Sequence, residues 1–131
     1  MKLTMDDILL MNAFETISKV SSKDCIVKDN MITFMVDGKL LGKAIGANAV
    51  NVKNLESKLK KKIELIGFYE NPEKIIEQTF NVTLESTKNV KSNLILKVSN
   101  QDKKKIFNNF SRLKRIQELI SRNYNKNLMI E

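Results

Sequence analysis

The stretch Leu41–Glu56, LGKAIGANAVNVKNLE, decides how the rest of the chain is read. Gly46 separates two segments of helical composition. Ala49 stands where a second glycine would complete a Gly-x-x-Gly turn, and Ala47 stands where a lysine would add charge. A Gly-x-x-Gly bend between two helices lets a nucleic-acid backbone lie against the protein main chain. A β-carbon at either glycine would hold that backbone off, and the turn visits positive φ. The helix that follows offers free N–H groups and a positive dipole end to phosphates. Position 49 admits two states. If it is already helical, alanine costs nothing there and favours the helix; if it needs positive φ, alanine costs about 1 kcal/mol or more.

Upstream, TMDDILLMNAFETISKV reads as a helix with Thr4 as its cap and Asp7 three residues on, close to a capping box. Leu10, Phe14 and Ile17 share one face. Asp6 and Asp7 complement the helix dipole rather than form a metal pair. Two strands follow, DCIVK and MITFMV, joined at Asp29–Asn30, with Ile32, Phe34 and Val36 alternating onto one face. Gly38 marks a turn. Past the bend, Val52, Leu55 and Leu59 form a helical stripe, and KKIELIGFY reads as a strand with Ile63 and Leu65 facing one way and Ile66 and Phe68 the other.

ENPEK punctuates the chain, with Asn71 as a helix cap and Pro72 at the first helical position. The same order then repeats: helix PEKIIEQTF, strands NVTLEST and NLILKVS, a short helix DKKKIF, a long helix SRLKRIQELISRNY striped by Leu113, Ile116 and Ile120, and a last strand NLMIE. The period is about 61 residues, longer than the usual solenoid range. Ile45–Val52 aligns over Ile106–Leu113. The expectation is two domains, 1–70 and 71–131, each α-β-β-α-α-β.

Composition bounds the chemistry. The chain has 131 residues, enough to bury roughly 68% of its unfolded surface in one domain or two small lobes. Its longest apolar run near the start, Ile8–Met11, is far short of a membrane span. MKLTMDD turns acidic at once and lacks a small-residue cleavage site, so no signal peptide is expected. Histidine is absent, which removes His-based acid–base catalysis and the commonest transition-metal ligand. The single cysteine, Cys25, reads as a buried thiol and leaves no zinc site. GKLLGKA, Gly38–Ala44, falls one residue short of a P-loop and has Ala44 in place of the Mg²⁺-binding hydroxyl. No enzyme and no cofactor is expected. The methionines, Met11, Met31 and Met35 among them, sit at apolar periodic sites and read as core filling.

The net charge is +8, with 11 Lys/Arg against 9 Asp/Glu in residues 1–70 and 12 against 6 in residues 71–131. Such an excess attracts polyanions. Two short basic runs, KLKKKI and DKKKIF, read first as solvated faces. Arg112 and Arg115, three apart, predict a basic helix face that Arg122 joins. That face suits phosphates or an acidic protein surface.

With these motifs in place a resemblance emerges. GKAIG followed by NVKNLE resembles the KH-domain signature of archaeal NusA-like transcription factors. The likeness extends through KLTMDDI, FETIS, KDCIVKDNMITFMV and IELIGFYENPEKIIEQTF, so it spans essentially the whole chain. Gly42, Ala44, Ile45, Gly46, Asn51, Val52, Lys53, Leu55 and Glu56 match the family pattern. The resemblance implies an α+β fold of two tandem type II KH domains, each with a three-stranded mixed sheet packed on helices. It implies a cytoplasmic factor that binds single-stranded nascent RNA during transcription elongation and termination, with RNA polymerase or another transcription or translation component as a further partner and no membrane. The implied RNA-contact residues are Lys43, Gly46, Ala47, Asn48, Ala49 and Lys53, with Asn108, Asn109, Arg112 and Arg115 in the second domain.

Two departures set the open question. The family has Gly-Lys-Asn-Gly or Gly-Lys-Gly-Gly where this chain has Gly46-Ala47-Asn48-Ala49, and its second loop is Phe107-Asn108-Asn109-Phe110, without glycine. The two phenylalanines are expected to pack inward or to face a protein partner, with base stacking by their rings as the lesser alternative. The chain is then either an RNA binder with a weakened first clamp or a KH scaffold that docks on protein without clamping RNA.

Overall fold

The computed structural model describes residues 3–131; the first two residues of MKLTMDD lie outside them. The chain divides into two compact units between Phe68 and Tyr69.

The first unit opens with α1, Met5–Ser18. Its start is a full capping box. The Asp7 N–H donates to the Thr4 hydroxyl and the Thr4 N–H donates to the Asp7 carboxylate, both at 3.1 Å, which satisfies two donors that the helix leaves orphaned. Lys19, in the left-handed region at φ 63, ends it. Strands β1, Ser22–Lys28, and β2, Met31–Asp37, form an antiparallel hairpin. Asp29 and Asn30 both have positive φ, 58 and 57, which suits a two-residue turn that keeps the strand twist. A single 3-10 turn at Gly38–Leu40, where the Asp37 carboxylate accepts from the Lys39 N–H, leads into α2, Leu41–Ile45. After the bend comes α3, Val50–Leu59, and then β3, Lys62–Phe68, parallel to β2. Parallel neighbours need such a crossover, and the helix pair supplies it.

The core of this unit is the face predicted by alternation. Ile32, Phe34 and Val36 pack with Cys25 and Ile63 beneath Phe14, Ala44 and Leu55. Phe14 stacks on Phe34 with ring centroids 4.6 Å apart. Each fully buried Ile, Val, Leu or Phe among these contributes about 1.5–3 kcal/mol. On the opposite side of β2, Thr33 is buried and its hydroxyl donates to the Glu64 carboxylate at 2.8 Å.

The second unit repeats the order with α4, Glu73–Phe80; β4, Leu84–Val90; β5, Asn93–Val98; α5, Asn100–Phe107; α6, Phe110–Tyr124; and β6, Asn127–Ile130. β4 and β5 are antiparallel, and β5 and β6 are parallel. Leu94, Leu96 and Val98 are buried with Ile75, Ile106, Leu113, Ile116 and Ile120. Tyr124 donates its hydroxyl to the Tyr69 carbonyl. Burial pushes that phenol up to about 12, although the backbone hydrogen bond pulls the other way.

Three local expectations are corrected. β4 begins at Leu84, three residues after the predicted Asn81. Asn81 instead terminates α4 in the left-handed region, and the Val82 N–H donates back to the Glu77 carbonyl. Pro72 has helical dihedrals, but no side chain caps α4. The repeat offset also changes along the chain. Ile32 and Phe34 pair with Ile63 and Leu65 as Leu94 and Leu96 pair with Leu128 and Ile130, so the central strands are 62 residues apart. The helices after the bend, matched at Leu55 and Ile116, are 61 apart. Ala44, not Ile45, therefore corresponds to Ile106, and the second bend is one residue shorter than the first.

Candidate nucleic-acid interface

The first bend is anchored from both sides. Ala44 in α2 and Leu55 in α3 are fully buried and hold the two helices on the sheet. The Asn51 side-chain amide donates to the Lys43 carbonyl at 3.2 Å, tying α3 back to α2. Between these anchors Gly46 lies at φ 81, ψ 164, Asn48 at φ 53, ψ 31, and Ala49 at φ 58, ψ 31. The Gly46 N–H donates to the Gly42 carbonyl, and the Ala49 N–H donates to the Gly46 carbonyl, each at 3.1 Å.

Glycine at 46 is a requirement. Besides the positive φ, a β-carbon there would sit 2.9 Å from Val50 Cγ1 and 3.0 Å from the Asn51 amide nitrogen. The alternative left open at position 49 is resolved as left-handed backbone. Ala49 therefore holds a conformation that costs an L-residue about 1–2 kcal/mol. The turn keeps the backbone course that two glycines would favour, although only one glycine remains.

The bend also has the electrostatic features of an anion site. No side chain caps the N-terminus of α3, and no acidic residue lies in its first turn, so the positive end of the helix dipole is not offset there. Ala47 and Asn48 are exposed, and so are Lys43 and Lys53 on the two flanking helices. In the basic run that closes α3, the Lys61 ammonium donates to the Asn30 side chain at 3.1 Å.

The second bend differs. Asn108 is helical at φ −66, ψ −19, and Asn109 lies at φ −121, ψ 60, so neither has positive φ. Asn108 and Asn109 donate back to the carbonyls of Lys104 and Ile106, closing α5 tightly. Phe107 and Phe110 do not pack inward. They are 42% and 50% exposed and stack on each other with centroids 6.3 Å apart. The Lys114 ammonium lies 5.0 Å from the Phe110 ring centre, within cation–π range. Lys114 was not among the expected site residues, and its spacing of four from Phe110 was the available signal.

The predicted basic face on α6 is also corrected. Arg115 is only 4% exposed, and Arg112 and Arg122 are half-buried. The reason is helical spacing. Arg115 stands four residues before Leu119, which is fully buried, so its stem lies on the apolar side of the helix. Of the four expected second-unit contacts, Asn108 and Asn109 are exposed, Arg112 is partly so, and Arg115 is not presented to solvent.

Two α-β-β-α-α-β units, each with a mixed three-stranded sheet on helices and a tight bend between the last two helices, are consistent with a tandem KH-like protein. The chain is 34% identical over 79 residues to the "Probable transcription termination protein NusA" of Methanocaldococcus jannaschii, and 35% identical over 79 residues to the protein of the same name in Methanococcus vannielii. A third protein of that name, in Halococcus morrhuae, is 31% identical over 68 residues. These matches take in 60%, 60% and 50% of this chain and 43%, 46% and 49% of those relatives. The chain thus spans about half the length of the curated relatives it matches. Its fold is similar to the crystal structure of APE1850, with a TM-score of 0.85, 26% identity and coverage of 98% of this chain and 100% of that one. No family profile matches the chain. The chain is NusA-like in sequence, with its kin among archaeal proteins.

Proposed function

We propose that the chain is a non-enzymatic, cytoplasmic RNA-binding factor acting with the transcription machinery in elongation or termination. It is built from two type II KH domains, residues 1–70 and 71–131. Single-stranded nascent RNA lies along the first bend, with Gly46 giving the backbone room, Ala47, Asn48 and Ala49 lining its path, the Ala49 β-carbon loosening the contact, and Lys43 and Lys53 meeting phosphates. Asn108, Asn109 and Arg112 contribute weaker contacts from the second domain, and RNA polymerase is the expected protein neighbour. The single observation that carries this reading is the first bend itself: its backbone stays in the left-handed region at Asn48 and Ala49 without glycine, beside an uncapped helix N-terminus with no acid in its first turn. The names of the archaeal relatives support the biological setting.

The clamp is weakened, because Ala47 supplies no charge and each phosphate contact on single strands steepens the salt dependence by about 0.7 in log–log slope. Binding in the micromolar range or weaker, fading steeply with salt, is expected. Fluorescence anisotropy of a labelled single-stranded RNA, titrated at low and at physiological salt, tests it. Ala47→Lys combined with Ala49→Gly should tighten binding. No binding at low salt, or no response to that double change, would remove the first bend as the RNA site.

A further inference from the structure

The corner between α5 and α6, where Asn108, Asn109 and Arg112 are assigned only weak RNA contacts, carries an aromatic surface that the proposed function leaves unused. Of the six phenylalanines, Phe14 and Phe34 are buried and Phe68 and Phe80 are half-buried. Phe107 and Phe110 alone of the six are exposed, and they meet as a stacked pair. Beside them lies a surface hollow of about 470 Å³ lined by Asn100, Lys103, Lys104, Phe107 and Asn108. The charged residues in its lining are both lysines. Lys104, Lys105 and Lys114 are exposed, and Lys103 is partly so. The only acid of α5, Asp102, is engaged by the Lys105 ammonium at 3.8 Å and the Thr83 N–H at 3.3 Å. The only acid of α6, Glu118, lies more than two turns beyond Phe110.

We propose that this corner is a docking site for an acidic protein segment that inserts an apolar side chain against Phe107 and Phe110 while its carboxylates meet Lys103, Lys104 and Lys114. Aromatic residues, phenylalanine among them, are enriched at the cores of protein interfaces and are ringed there by a polar rim, and the lysine rim selects an acidic partner. Nucleic acid suits the corner less well. A stacked base needs an open ring face with a path for its phosphates alongside. Phe110 is flanked by Phe107 and Lys114, the two phenylalanines border the bend on both sides, and the bend has no glycine and no positive φ. The proposal is independent of RNA binding at the first bend.

The test uses the full chain and three fluorescein-labelled probes: an acidic peptide in which glutamates flank single leucine and phenylalanine residues, the same peptide with those apolar residues changed to alanine, and oligouridylate. The first peptide should bind, and the alanine version should bind about tenfold more weakly or not at all. Phe107→Ser with Phe110→Ser should lower affinity for the first peptide about tenfold while leaving oligouridylate binding within about twofold. Both rings are exposed, so the fold should hold; Lys103→Glu with Lys104→Glu keeps the rings and should lower peptide affinity by a similar factor. Lys43→Ala with Lys53→Ala should leave the peptide unaffected, which separates this site from the first bend. Several results would overturn the proposal. These are no binding of the first peptide, equal binding of both peptides, or no effect of the phenylalanine changes. Loss of oligouridylate rather than peptide in the phenylalanine variant would make the corner a base-stacking site. Self-association of the wild type that the same variant abolishes would make the occupant a second copy of the chain.

Discussion

Replacing Ala49 with glycine isolates the feature on which the first bend depends. At φ 58, ψ 31 the alanine β-carbon crowds its own backbone, and relief of that crowding is worth about 1–2 kcal/mol. Glycine brings more freedom to the unfolded chain, which takes back about 0.5–1 kcal/mol. The net expectation is a gain of about 0.5–1 kcal/mol, or a rise in midpoint temperature of roughly 2–5 °C. Urea denaturation gives the overall change, and native-state hydrogen exchange at the amides of α2 and α3 assigns it to the first unit. The sign is decisive. In a helix interior the same substitution costs about 1 kcal/mol, so a loss of that size would mean that position 49 is helical and that the left-handed turn is wrong.

Gly46→Ala should go the other way, because it combines positive φ with a 2.9 Å approach to Val50 Cγ1; a drop of about 2 kcal/mol or more is expected in the same denaturation assay. Lys43→Ala with Lys53→Ala should leave stability nearly unchanged and make the salt dependence of RNA binding shallower by about 1.4 in log–log slope, read by anisotropy across a salt series. Arg115→Ala should lower stability by about 2–4 kcal/mol, because its stem and guanidinium are buried, without a specific loss of RNA affinity once the variant is fully folded. Tyr124 has its folded pKa raised from the ordinary 10.0 to about 12, so it favours the folded state with its proton on. Its contribution is complete below pH 10 and is lost as pH rises from 10 towards 12. Ultraviolet titration of tyrosinate should show one of the two tyrosines ionising late, and Tyr124→Phe should remove that alkaline component.

Much of this architecture was legible in the sequence because burial sets its own period. Ile32, Phe34 and Val36, and again Leu94, Leu96 and Val98, alternate because one sheet face meets helices, and Thr4 with Asp7 announces the start of α1 through the chemistry of a cap. The start of β4 was missed because Val82 and Thr83 have strand propensity while Asn81 is drawn into closing α4. Propensity carries no information on which of those competing uses wins. Arg115 was read from its charge and its spacing of three from Arg112, yet its row on α6 also leads to Leu119, and packing overrode charge. The state of Ala49 could not be read at all. Alanine is ordinary in a helix and costly in a left-handed turn, and the backbone between the buried anchors Ala44 and Leu55 takes the second course. Phe107 and Phe110 were expected to pack inward or to face a protein partner, and their exposure became visible only in three dimensions.

From Ala44 to Leu55 the first unit counts eleven positions, whereas from Ile106 to Ile116 the second counts ten. No exchange of one amino acid for another can therefore rebuild the longer turn in the later half of the chain; a codon must be inserted as well. A difference of this kind resists drift, since substitution readily alters side chains but leaves the length of a turn as it is. A chimaera that copies Gly46–Ala49 into the second half must lengthen it by one residue, or Leu113 and Ile116 will be turned about a hundred degrees out of their seats.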